Sequence, residues 1–160
     1  MMRSIALLVL LLSLTAALQV SLFPRLAVHG VQPDLLLVCV IVAGLLYGPP
    51  IGATVGFVAG WFTFALQGAL PGSFLASRIA MGYLSGLLES RLFKENIQIH
   101  IGAVFLGSML ATGLFLLIDP DLIRQPDWPQ TALYTALYNT AFSPLAYFLL
   151  SRLPLSLEKE

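Results

Sequence analysis

Between Leu35 and Leu70 the chain reads LLLVCVIVAGLLYGPPIGATVGFVAGWFTFALQGAL, without one charged residue. A helix crossing the ~30 Å hydrocarbon layer of a bilayer needs about 20 mostly apolar residues. This stretch is too long for one crossing. Gly48-Pro49-Pro50 supplies a break, because proline offers no backbone N–H and its ring clashes with the preceding turn. The spacing predicts two helices, over roughly Pro33–Tyr47 and Ile51–Gln67. The first is short, so it tilts little or is shielded by protein.

Working outward, charges and prolines divide the rest. Span one reads Ser4–Phe23, followed by Arg25, His29 and Asp34. Gly68 and Pro71-Gly72 break the chain before span four, Gly72–Leu88, which contains Arg78. Glu89, Arg91, Lys94 and Glu95 form a charged loop, and span five covers Ile97–Ile118. Asp119-Pro120-Asp121 ends it, and a polar loop with Arg124 and Asp127 leads to span six, Thr131–Leu150. Ten-residue segments of alternating polarity, which a membrane β-barrel needs, are missing. The expected fold is an all-α integral membrane protein: six transmembrane helices in one compact domain over residues 1–160.

Composition agrees. Hydrophobic residues make up 58% of the chain and charged ones 10%, against about 25% charged in an average soluble domain. Mean hydropathy is +0.90, which argues against a soluble globular enzyme. Eight basic and eight acidic residues cancel, leaving no basic face for nucleic acid. The single cysteine, Cys39, allows neither an intramolecular disulfide nor a multi-cysteine metal site and reads as an apolar packer. His29 and His100 fall near opposite surfaces, too far apart to share a metal. No catalytic set, cofactor or metal is expected, because no nucleophile sits with a base and no glycine-rich phosphate loop carries a lysine.

Lysine and arginine near span ends favour the cytoplasmic side. Arg3, Arg91, Lys94, Arg152 and Lys159 share one side, with Arg25 and Arg124 opposite. Both termini are therefore expected in the cytoplasm. Trp128 and Tyr134 then mark the outer interface. A cleaved signal peptide is the other reading of the first 23 residues, but its apolar run exceeds a usual ~7–15-residue core and no small-residue cleavage site closes it.

Two sets of residues stand out. Gly52, Gly56 and Gly60 recur at four-residue spacing, as do Gly82 and Gly86. Such a face lets another backbone approach closely, either within the bundle or from a partner protein. Val58 is read as lipid-facing. Arg78 is the one charge well inside an apolar stretch. It either snorkels to the outer surface or pairs within the protein. Asp34, at the start of span two, is the expected partner. The aspartates of the fifth loop read as a solvated helix stop, with cation binding as the alternative.

The run Gln32-Pro33-Asp34-Leu35-Leu36-Leu37 resembles the Pro-Asp-Leu-Leu-Leu segment of the rod shape-determining MreD family. Gly52-Ala53-Thr54-Val55-Gly56-Phe57-Val58-Ala59-Gly60 and then Gly68, Gly72 and Gly82-Tyr83-Leu84-Ser85-Gly86 follow that family's order of spaced glycines. One departure is Phe64, where many members carry an aspartate. The resemblance implies a non-catalytic scaffold of the bacterial cell-elongation machinery in the cytoplasmic membrane. It implies contact with MreC and, through it, with MreB, RodA and a class B penicillin-binding protein, besides membrane lipid. It also implies a fold like the substrate-binding subunit of energy-coupling-factor transporters. A small-molecule-binding subunit of that transporter type is the alternative function, although Ser13-x-x-x-Ala17 is a poor match to its docking surface. An intramembrane enzyme acting on lipid lacks paired acid and base groups.

Overall fold

Proline placement sets the helix starts. Pro49 and Pro71 are the first residues of their helices, and Pro129 follows Trp128 at the head of the last. In a first turn the missing N–H has no partner to lose, and the fixed φ suits the helix. The computed structural model describes residues 2–27, 30–67, 71–88, 97–118 and 127–153. Among them are six α-helices: α1 (Met2–Ser21), α2 (Leu35–Tyr47), α3 (Pro49–Gln67), α4 (Pro71–Leu87), α5 (Ile97–Ile118) and α6 (Trp128–Leu150). A 3-10 turn, Phe23–Leu26, follows α1. His29, the charged loop after α4, Asp119-Pro120-Asp121 and the last seven residues lie outside the described residues.

Several boundaries differ from the reading above. Pro49 and Pro50 belong to α3, and the break falls on Gly48 alone. Gly48 has φ +88°, a conformation that residues with a Cβ adopt only under strain. Its N–H donates to the Gly44 carbonyl at 2.8 Å, and its own carbonyl accepts from Gly52 at 2.9 Å. The two helices are thus joined by one residue. In α6 the helix starts at Trp128 and carries Pro144 in its interior.

The helix predicted to be short is the centre of the molecule. α2 packs against all five other helices, and every residue from Leu36 to Leu45 is buried. Its 13 residues rise only about 20 Å at 1.5 Å each. A helix apolar on every side must be surrounded by protein or lipid; here protein does it. Among the described residues, two helices are both long and apolar enough to cross a membrane, through the windows Pro49–Leu66 and Gln98–Ile118. Large apolar side chains stand exposed on α1 (Ile5, Leu10, Leu14), α5 (Leu106, Leu110, Leu117) and α6 (Leu137, Leu145, Phe148). A protein with such a surface is at home in a membrane. Val58 is not part of that surface; it is half-buried against the core.

α3 and α4 run antiparallel with their backbones in contact. A Cβ on Gly60 would meet Leu75 Cα at 3.0 Å. One on Gly56 would meet the Arg78 carbonyl group and Ile79 Cα, and one on Gly52 would run into Gly82. Gly82 and Gly86 in turn lie against the Gly48–Ala53 backbone. Both glycine sets therefore serve contacts inside the chain.

Candidate functional site: a buried polar network at the start of α2

The first N–H groups of any helix lack partners within it, and in a low-dielectric interior each must find one elsewhere. Pro33 and Asp34 end the loop before α2, and Asp34 is its N-cap. The Asp34 carboxylate accepts the Leu37 N–H at 3.1 Å. Gln19 of α1 accepts the Leu36 N–H through Oε1 at 3.2 Å. Asn139 of α6 accepts the Asp34 N–H through Oδ1 at 2.7 Å. Side chains from α1 and α6 join that of Asp34 in capping this one end.

The same aspartate holds Arg78. Arg78 Nη2 of α4 donates to Asp34 Oδ2 in an ion pair. Only 4% of Arg78 is exposed, against 24% of the Asp34 side chain. Gly56 sits over the Arg78 main chain, so the α3–α4 packing fixes the backbone that carries the guanidinium. Asn139 Nδ2 then donates to Ser108 Oγ of α5 at 2.9 Å. Asn139 and Ser108 are fully buried. The sequence places Asp34 at the outer surface. Its partners Arg78 and Asn139, and Ser108 bonded to Asn139, all lie near the middle of their helices.

The guanidinium is not saturated. Nε and Nη1 of Arg78 are buried with no hydrogen-bond partner among the described residues. An arginine has five N–H donors in a rigid fork, and a buried polar group left unmatched costs about 1–3 kcal/mol, more when charged. Asp34 already supplies one countercharge, and the open donors still ask for an oxygen acceptor. A carbonyl or one arm of a carboxylate satisfies that chemistry.

Other sequence candidates fall elsewhere. His100 is buried with its ring edge-on to Tyr147 of α6, centroids 4.5 Å apart. Cys39 is buried and lines an apolar groove of about 140 Å³ with Leu11, Thr15, Phe142 and Ala146. Among the described residues no three His, Cys, Asp or Glu side chains gather as a metal site would require. Gln19, Ser108 and Asn139 escaped the sequence reading. Their signal was available: an amide or hydroxyl in a spanning helix needs an internal partner.

Residues 1–127 match the family 5TM-5TMR_LYT, described as 5TMR of 5TMR-LYT. The chain belongs to that family. The match takes in α1 to α5 and stops one residue before α6 begins. No curated protein and no solved structure matches the chain. The family overturns the resemblance to MreD, and with it the elongation scaffold; the transporter subunit gains no support either. MreC and the other partners inferred from that resemblance lose their basis. The physical reason lies in the motifs themselves. Pro33-Asp34 is a helix cap, and the spaced glycines are a helix contact. Any packed membrane bundle can use both devices.

Proposed function

We propose that this chain is a five-transmembrane receptor of the LytS type extended by a sixth helix. It lies multi-pass in the bacterial cytoplasmic membrane with both termini on the cytoplasmic side. It binds a small molecule without transforming it, as the receptor part of a sensor histidine kinase does. The observation that carries this reading is the open edge of the Arg78 guanidinium, held in the interior of a 5TM-5TMR_LYT domain. Intramembrane charges are costly and commonly mark a ligand or ion site. Arg78 recognises a carbonyl or carboxylate oxygen of the ligand, while Asp34 fixes the guanidinium in place.

The test is a ligand screen on the purified protein in nanodiscs. Thermal unfolding is followed with small monocarboxylates, dicarboxylates, amino acids and sugar phosphates. A binding ligand at about 100 times its Kd stabilises the fold by about 2.7 kcal/mol, a shift of several degrees. Arg78→Lys keeps the charge but loses the fork and abolishes the shift. A panel without any shift, or a shift that survives Arg78→Lys, overturns the reading.

A further inference from the structure

α6 lies beyond the five-helix match, yet it supplies the residue that completes the site. Asn139 uses both ends of its amide, one on the Asp34 N–H and one on Ser108. Five residues further along, Pro144 stands inside the continuous helix. Proline cannot donate to the carbonyl four residues back, which here is Thr140. Ser143 Oγ takes over that carbonyl at 2.9 Å. The Thr140 carbonyl is thus satisfied by a side chain in place of the missing backbone bond. Below it, the Tyr47 hydroxyl, at the far end of α2, is shared between the carbonyls of Leu150 and Leu153 (2.7 Å to the latter). The α6 segment is therefore hydrogen-bonded to the chain at both ends of α2, through Asn139 and through Leu150 and Leu153, with Pro144 between them.

We propose that Asn139 is a positioning residue of the Arg78 site, and that it carries the state of the Asp34–Arg78 pair to the half of α6 beyond Pro144. Asp34 is the shared part. Its carboxylate meets Arg78 and its own N–H meets Asn139. A ligand oxygen that draws the guanidinium round turns the aspartate, and the turn reaches Asn139 within one residue. The hinge at Pro144 then lets the lower half of α6 move against Tyr47. This proposal rests on the receptor reading for its biological sense, but its test uses no ligand.

The full-length protein in nanodiscs is compared in four forms: unaltered, Arg78→Leu, Asn139→Leu and the double variant. The readout is amide hydrogen exchange of residues 145–150. Arg78→Leu is expected to speed exchange there about threefold or more, within the range by which network residues shift coupling. In the Asn139→Leu background the same change adds nothing further. Were Asn139 only a structural bond, the two effects would multiply, and that result overturns the proposal. So does an Arg78→Leu protein whose α6 exchanges normally. If Arg78→Leu does not accumulate, Arg78→Lys takes its place in the same cycle. A failed ligand panel with this coupling intact refutes the receptor alone; a ligand shift without the coupling refutes this proposal alone.

Discussion

Two interfaces of α4 behave oppositely. Toward α3 it presents Phe74–Leu75, Arg78–Ile79 and Gly82 to a row of glycines, and the backbones touch. Toward α2 it packs as closely at one end, where Gly44 lies against Gly82 and Gly86, but at the Asp34 end it makes a second kind of contact, one long charged side chain in an ion pair with spare donors. The first contact is van der Waals attraction over many atoms, each tiny, with no slack. The second is a few directional bonds around an unfilled polar edge. A close-packed seam holds position and cannot adjust without cost. A polar junction can exchange partners. The glycine seam fixes the backbone from which the Arg78 fork extends.

This contrast is broken most severely at Gly56. Gly56→Leu puts a side chain where even a Cβ meets the Arg78 carbonyl carbon at 2.8 Å. The α3–α4 seam must open along its length, and folded protein recovered in detergent is expected to fall to background. Recovery near normal levels would show that the glycine row is dispensable. Next in size is Asp34→Ala, which leaves the Arg78 charge buried and unpaired. Breaking a buried pair from one side costs about 3–5 kcal/mol, visible as a large drop in thermal midpoint. Replacing both partners, Asp34→Leu with Arg78→Leu, is expected to restore much of that loss, because no orphan charge remains. A double variant no better than Asp34→Ala would mean the two groups act apart.

Smaller again is Asn139→Leu. It removes two hydrogen bonds, and such bonds between membrane helices average about 0.6 kcal/mol each in the best measured case. The expected loss is about 1–2 kcal/mol in a denaturation midpoint, well below that of Asp34→Ala. A loss as large as that of Asp34→Ala would place the weight of the network on α6 instead of on the ion pair. The smallest effect belongs to Leu117→Ala on α5. Leu117 is 79% exposed, and truncation should stay within about 0.5 kcal/mol. A greater loss would reveal a protein neighbour on that face. Orientation is tested separately: cysteines replacing Ser4 and Glu160 are expected to resist a membrane-impermeant thiol reagent in intact cells, and labelling of either sinks the proposed topology.

Much of the helical order was legible because prolines and charges interrupt an otherwise uniform apolar chain. Gly48-Pro49-Pro50 and Pro71 mark helix junctions whatever the fold. Asp34 and Arg78 drew notice because charge is scarce in such segments. The central place of α2 was not legible. LLLVCVIVAGLLY is apolar on every side, so periodicity gives no face to distinguish a core helix from a lipid-facing one. Asn139 signals in the sequence only that it needs some partner, and Pro144 only that a backbone bond is missing. Each becomes meaningful only beside its partners, Asp34 for one and Ser143 for the other, and Asp34 lies 105 positions away. The family was misread because caps and spaced glycines are requirements of packing, shared by unrelated membrane bundles.

The capping of α2 also has a history in time. Its leading amide waits for Asn139, and the ribosome must add 105 more residues before that oxygen exists. At about 5–20 residues per second, the wait is roughly 5–20 seconds. Through that interval Asp34 and Arg78 can meet, but the helix between them is still short of one partner. α6 thus closes α2, and the interior stays one partner short until Asn139 has been added.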